Sequence, residues 1–409
     1  MRLLPATRAP SVLCVAFLSS ALRPGCPNFL DLPWHLPFSE WRSGREEQLP
    51  RGESRNPVVF VNYDGQLFAL KELDPQRAEE EYHLLREMEG SKLPVVSPVG
   101  WLRIRRNDGE RSVLVTRYLE RSLPYQVLFT RPGLERYRQH LLDAGAGLLV
   151  QLHLAGVFWG DCSLDNILFL RDAGTLNAVM VDAETSSIHD ALTDAQRQHE
   201  LDVMEENVAG ALFDLVAQGV LPSDFPIEPT IRGVREKYDG LWAEVQREEP
   251  VEHDSAFAME DRIRRLNALG FSVGELELSS AGGGVRLKAV VTDRSFHRDL
   301  VHSLTGLTVQ ERQAQVILND LRQTQAALCR ERDRSVSLSS ASLHWMDQVF
   351  IPAIERIRDR APRDELDDAE RFCELLEHKW FLSEQAQRDV GRGAALDDYL
   401  HRLGSECGE

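Results

Sequence analysis

The stretch "FWGDCSLDNILF", Phe158 to Phe169, puts Asp161, Asp165 and Asn166 within six residues, boxed between an aromatic run and an aliphatic one. A short β-like run begins directly after the asparagine. An ordinary turn explains such a cluster, and so does a loop that handles phosphate. A second apolar run, "AVMVDAE", ends in Asp182, 16 residues beyond Asn166. A buried strand that closes on a carboxylate is a recurrent way to hold a cation. Each signal is weak alone, so the choice rests on what stands upstream.

Upstream, "NPVVFVNYDGQLFALKEL" reads as two β-runs around the turn Asp64-Gly65, with Lys71 in the second run. An exposed strand lysine is ordinary, but this chain holds only five lysines among 47 basic residues, and Lys71 sits in an apolar strand. Residues 75–88 then read as a helix. Of Glu79, Glu80 and Glu81, only Glu81 shares a stripe with Leu84, Leu85 and Met88. That stripe faces the core, so Glu81 points inward and needs a cation there. Lys71 is the natural partner. Glu79 and Glu80 suit a solvated first turn favoured by the helix dipole.

A second hairpin, "GWLRIRRNDGERSVLVTRYL", turns at Asn107-Asp108-Gly109. From about Glu135 the period becomes helical, with Leu141, Leu142, Leu148, Leu149 and Leu152 at helix spacing and a stop at Gly156. Past Thr193 the chain reads as mainly helical to about Gln218. A β-rich part thus precedes a helical one.

From about Pro222 the composition shifts. "MEDRIRRLNALGF" reads as a helix, "FSVGELELSS" and "VRLKAVVT" as strands joined by "AGGG". The segment from Thr308 reads as a long helix, with Thr308 and Glu311 at capping-box spacing. Further helices fill roughly 342–403. No internal repeat is present.

Composition narrows the function. A net charge of -18 argues against a nucleic-acid partner, because phosphate backbones need a basic surface. The six cysteines are scattered without a CxxC pair, and none of the twelve histidines falls in HExxH, so neither a structural zinc site nor a disulfide framework is expected. A reduced, cytoplasmic protein follows. "SVLCVAFLSSAL", Ser11 to Leu22, resembles a weak secretory core but is too short to span a bilayer. Residues 1–29 are therefore expected to be a disordered or mis-started leader, with a targeting segment as the alternative. No transmembrane segment is expected elsewhere. Arg103, Arg105 and Arg106 read as a solvated hairpin rim, Cys162 as a small buried residue, and "LEHKWFLSE" as aromatic core with a charged edge.

A strand lysine, a helical glutamate, Asp-x-x-x-x-Asn, and an apolar strand ending in Asp follow in the order of the protein-kinase-like fold. "LHLAGVFWGDCSLDNILF" and "VMVDAET" are most similar to its lipopolysaccharide-kinase-type branch. The chain from Leu30 also resembles a bacterial family joining such a domain to an uncharacterised C-terminal domain. "SLPYQVLF", "RIRRLNALGF", "LTGL" and "LEHKWFLSE" carry that second likeness. The resemblance implies an α+β fold: a bilobal kinase-like domain, N-lobe 30–119 and C-lobe 120–221, before an α-rich domain with a β-hairpin at 222–409.

It also implies roles. Lys71, steered by Glu81, holds the α/β-phosphates of ATP. Asn166 and Asp182 ligate Mg²⁺, and Asp161 is the base for an acceptor hydroxyl. Thr116, Arg117 and Leu119 belong to the inter-lobe hinge that meets adenine. Departures are clear. No Gly-x-Gly-x-x-Gly precedes Lys71, and only Gly52, with backbone amides around Ser54, stands in its place. Trp159-Gly160 replaces the usual His-Arg, Ser163 replaces a phosphate-binding lysine, and Ala183-Glu184 follows Asp182. Glu184 reads as a surface carboxylate. The implied activity is transfer of the ATP γ-phosphate to a small-molecule or glycan hydroxyl, such as a sugar or lipid-linked glycan. The alternative is a nucleotide-binding pseudokinase or scaffold that meets a protein partner through its C-terminal domain.

Overall fold

Apolar residues on both sides of Asp64-Gly65 form the expected hairpin, β3 (Val58–Tyr63) and β4 (Gln66–Leu73), and both turn residues take positive φ, 53° and 85°. The computed structural model describes residues 15–49, 56–131, 134–246, 249–250, 275–281, 284–290, 296–332, 334–360 and 367–406. They divide into two units. One takes the described parts of Met1–Glu120, Gln151–Leu168 and Val179–Val208; the other those of Arg121–Val150, Phe169–Ala178 and Ala209–Glu409. Mixed α+β structure results, with an N-terminal antiparallel sheet and a helical C-terminal region.

The first unit is built on a six-stranded sheet. β1 (Ala16–Leu22), β2 (Glu46–Glu47), β3, β4, β5 (Pro98–Arg106) and β6 (Gly109–Arg117) lie in the order β1-β5-β6-β4-β3-β2, each neighbour antiparallel. Helix α1 (Arg77–Gly90) packs on β5 and β6. The aromatic segment "LDLPWHLPFSEW" stays irregular and joins the core with the sheet: Trp34 and Trp41 are buried edge to face at 5.3 Å. Their indole N–H groups donate to Phe29 and Leu36 carbonyls.

Two expectations for this unit are corrected. Within the residues read as a leader, Ala16–Leu22 is a strand paired with β5, and Phe29 is fully buried. The edge strand is held by backbone hydrogen bonds, which hydropathy does not see. Gly100 makes room for it, since a Cβ there would lie 2.3 Å from the Ala21 carbonyl. Arg106 is not on a solvated rim. It is buried and donates to both Glu72 oxygens at 2.9 and 3.0 Å, whereas Arg105 stays exposed beside Glu110. Gly52 and Ser54 lie outside the described residues, while Thr116 and Arg117 end β6 and only Leu119 lies beyond the strand.

The second unit is mostly helical. It contains α2 (Tyr125–Thr130), most of α3 (Glu135–Leu154), the end of α4 (Asp194–Ala217), and α5 (Ile227–Gln246). Then come α6 (Phe296–Thr305), α7 (Glu311–Arg332), α8 (Leu338–Trp345), α9 (Ile351–Arg360), α10 (Asp368–Ala386) and α11 (Arg392–Glu406). Trp345, Phe350 and Phe372 centre their core. The expected hairpin forms from Glu275–Ala281 and Gly284–Val290. The helix expected at 259–271 lies outside the described residues. In "LEHKWFLSE", Trp380 and Phe381 prove exposed, at 64% and 49%, because α10 turns that face outward. No helix among the described residues is long and apolar enough to cross a membrane.

α7 starts differently from expectation. Its first turn bond runs from Ala314 N–H to the Gln310 carbonyl, so Gln310 caps it rather than Thr308, and Gln313 reaches back to accept the Gln310 N–H at 2.8 Å. The cap for the open amides comes from another part of the chain. Asp172 accepts from Gln313 N–H at 2.8 Å and Arg312 N–H at 3.2 Å. A carboxylate there satisfies two orphan donors and opposes the positive end of the helix.

Burial pushes the Asp172 carboxyl up to about 6, against the pull of the Gln313 and Arg312 amides. A carboxyl with a raised value binds its proton more tightly folded than unfolded. Its contribution to stability is therefore full below the ordinary carboxylate range and lost as pH rises through about 6. Melting temperatures of the wild type and Asp172→Asn, compared from pH 4 to 7.5, should move in the variant's favour as pH rises. Parallel profiles would exclude the raised carboxyl.

Candidate active site

Lys71 points from β4 toward α1, as the apolar strand and the helical stripe require. Its Nζ lies 3.2 and 3.3 Å from the Glu81 carboxylate oxygens and 2.7 Å from Asp182 Oδ2. The Glu81 side chain is fully buried and that of Lys71 12% exposed. Burial works against the ammonium charge, but the two carboxylates outweigh it and raise the Lys71 pKa. Burial pushes the Glu81 carboxyl up as well, against the attraction of Lys71. Glu81 Oε1 also accepts the Ala183 N–H at 3.1 Å, so one glutamate ties the lysine to the segment that carries Asp182.

After the two-residue strand β7 (Val157–Phe158), β8 (Ile167–Asp172) pairs with β9 (Thr175–Met180), and Asp182 follows β9. Backbone bonds fix its position. Met180 N–H donates to Pro94, Val96 N–H to Met180, and Val181 N–H to Asn166 at 3.1 Å. Asp182 Oδ1 accepts the Glu184 N–H, and its own carbonyl accepts the indole N–H of Trp159. Glu184 is half-buried rather than a free surface group, accepting from Asn56 and lying 3.9 Å from Arg77.

Asp161 and Asn166 occupy the loop before β8. Asn166 closes a short 3₁₀ turn, Leu164–Asn166, and its side-chain amide donates to the Asp161 carbonyl at 3.0 Å. The Asp161 carboxylate has no hydrogen-bond partner among the described residues. No group of three or more His, Cys, Asp or Glu side chains placed to hold a metal occurs among them. Cys162 is buried, its thiol donating to the Glu200 carbonyl at 3.1 Å and its pKa raised by burial, so it is packing and not a nucleophile.

Sequence reasoning missed what holds this loop. Glu200, on α4 and 1% exposed, accepts the N–H groups of Trp159 at 2.8 Å and Gly160 at 2.5 Å through one oxygen. Its other oxygen lies 2.9 Å from His153 Nε2 at the end of α3. Asn207 donates to the Cys162 carbonyl at 3.0 Å. Gly160 is required here: its φ is +83° and a Cβ would meet the Thr185 carbonyl at 2.8 Å. The missed signal was available, because Glu200, Met204 and Val208 share one apolar stripe at i, i+4 and i+8, the argument that identified Glu81.

Glu200→Ala leaves the buried Trp159 amide and the partly buried Gly160 amide without an acceptor, each costing roughly 1–3 kcal/mol. Urea unfolding should show a loss of about 2–5 kcal/mol, with a smaller loss in Glu200→Gln, which keeps one acceptor oxygen. Equal stability of all three proteins would remove Glu200 from this role.

Two segments of the chain match known families. Residues 66–219 match the lipopolysaccharide kinase (Kdo/WaaP) family, and residues 240–403 match a domain of unknown function, DUF4032. No curated protein matches the chain. Among solved structures, "WaaP in complex with acyl carrier protein" is similar over 62% of this chain and 99% of that one, with 18% identity and a TM-score of 0.36. Lys71, Glu81, Asp161, Asn166 and Asp182 all fall in the first matched segment, so the residues singled out in the sequence lie where the chain is similar to the lipopolysaccharide kinase (Kdo/WaaP) family, ahead of the segment similar to DUF4032.

Proposed function

We propose that this protein is a kinase-like phosphotransferase that moves the γ-phosphate of ATP to a hydroxyl of a non-protein acceptor, such as a sugar or a lipid-linked glycan. One observation carries the reading: the buried Lys71 ammonium is held between Glu81 and Asp182, at 3.2 and 2.7 Å. A cation so steered onto the carboxylate of a strand end suits a site for charged phosphates. Phosphoryl transfer asks mainly for positioning and charge neutralisation.

In this reading Lys71 takes α/β-phosphate oxygens while Glu81 fixes its direction. Thr116, Arg117 and Leu119 serve the adenine side, and the phosphate contacts expected of Gly52 and Ser54 fall outside the described residues. Asn166 and Asp182 fit Mg²⁺ by the chemistry of their donors, since both offer hard oxygens and few protein ligands suit an ion that keeps its waters. Bound there, Mg²⁺ would offset phosphate charge. Asp161, with its carboxylate uncommitted among the described residues, accepts the proton of the acceptor hydroxyl. Without the arginine that Gly160 replaces, a phosphorylated activation loop has no receiver, which supports a non-protein substrate.

Exposed Trp380 and Phe381 on α10 favour a second reading, in which a nucleotide-binding scaffold recruits a protein through its C-terminal region. Calorimetric titration of ATP, with Mg²⁺ and with EDTA, separates the outcomes. The phosphotransferase reading expects Mg²⁺-dependent binding that disappears in Asp182→Ala. In Asp161→Asn, binding should persist while transfer to a sugar panel falls by about 100-fold or more. Wild-type transfer in that variant would end the base assignment, and binding without transfer to any acceptor in the wild type would favour the scaffold.

A further inference from the structure

The hairpin of β8 and β9 separates the two residues assigned to the metal. Asn166 immediately precedes β8, Asp182 stands two residues past β9, and the Val181–Asn166 backbone bond closes the base. The tip is a two-residue turn, Ala173-Gly174, with φ of 48° and 80°. A two-residue hairpin turn of this kind needs positive φ at both positions, a conformation disfavoured for alanine. Something outside the turn must favour it.

That something is the C-terminal region. Glu370, in the first turn of α10 and 1% exposed, accepts the Ala173 N–H at 2.7 Å and the Gly174 N–H at 3.0 Å, one on each carboxylate oxygen. The left-handed turn aims both amides at it. Gln313 Nε2 and the Tyr137 hydroxyl complete the carboxylate, each at 2.8 Å. On the hairpin side, Asp172 caps α7 through Arg312 and Gln313, and Asn177 donates to the same carboxylate at 2.7 Å. Ala173 also packs against the apolar core that contains Trp345 and Phe372. The tip is thus gripped in both directions: its amides feed a carboxylate of α10, and its own carboxylate feeds the amides of α7.

We propose that the C-terminal helical region serves the phosphate site by gripping the tip of this hairpin, with Glu370 and Asp172 as positioning residues for Asn166 and Asp182. The inference rests on the phosphotransferase reading for what Asn166 and Asp182 do, and on geometry alone for the grip. Two paired strands of six residues transmit a displacement of the turn to their open ends better than a loop does, because every rung must shift together. A kinase-like domain joined to these helices then gains an ordered pair of metal ligands, and the helices have a role without a binding site of their own.

The test uses the full chain. Glu370→Gln keeps shape but turns one of its two acceptors into a donor that faces other donors. Nucleotide affinity should weaken about tenfold in Mg²⁺ and stay unchanged in EDTA, as expected for loss of a charged hydrogen bond that acts only through the metal ligands. Amide hydrogen exchange should quicken at the turn and also at 166–169 and 180–183. Tyr137→Phe, which deletes one hydroxyl and spares the fold, should show the same pattern with an affinity change of about threefold. Faster exchange confined to 172–175, with Mg²⁺-dependent affinity unchanged, overturns the proposal. If Glu370→Gln does not fold, Tyr137→Phe is judged by the same two outcomes. If the wild type binds no nucleotide in Mg²⁺, the phosphotransferase reading fails by itself. Exchange then decides the grip, spread to Asn166 and Asp182 supporting it and confinement to the turn refuting it.

Discussion

A carboxylate removed from water must collect donors or lose its charge, and the described residues include several such groups. Glu81, Asp172, Glu200 and Glu370 are each 1% exposed. The penalty of an unsatisfied buried charge is several kcal/mol, comparable with the net stability of a domain. Each carboxylate is instead surrounded by donors from segments far away in sequence. Glu81 takes Lys71 and the Ala183 amide; Glu200 takes two amides of the loop before Asp161; Glu370 takes the hairpin turn. Such groups decide which segments may meet, because a wrong neighbour leaves a charge unpaired. Their use is specificity of arrangement more than added stability.

In the first unit this arrangement makes a rigid loop with one uncommitted acid. Trp159 is locked at its backbone N–H, its carbonyl and its indole nitrogen, and Gly160 is locked at its N–H. Asn166 holds the carbonyl of Asp161 and leaves the Asp161 side chain out of the network. Positioned groups cost no reorganisation when charge develops, which is where enzymes that transfer phosphate gain most. Lys71 belongs to the same logic, since Glu81 already fixes the direction of its ammonium group.

The second unit repeats the device for a helix end. α7 begins at Gln310, which has no cap side chain suited to its open amides, and Asp172 supplies one from 141 residues away. Asp367 caps α10 locally, accepting the Glu370 N–H at 2.5 Å. That bond orients the first turn of α10, from which the Glu370 carboxylate accepts the hairpin amides. Helix termini that would otherwise expose unsatisfied groups thereby become sockets for a β-turn.

Periodicity and turn chemistry were legible in the sequence because they are local. The stripe of Glu81, Leu84, Leu85 and Met88 identified the inward glutamate, Asp64-Gly65 marked the hairpin, and the order Lys71, Glu81, Asp161, Asn166, Asp182 pointed to the kinase-like family that residues 66–219 match. The same stripe rule would have found Glu200 had it been applied to α4. Other features had no local trace. The edge strand Ala16–Leu22 is mostly exposed and held by backbone bonds to β5, so its hydropathy resembled a leader. Arg106 looked like its neighbour Arg105, and only the position of Glu72 buries it. The sequence by itself determined which residues form strands, stripes and turns, since those follow from spacing along one backbone. Tertiary structure alone decided which distant amide each buried carboxylate would satisfy, because that choice depends on which surfaces meet in space.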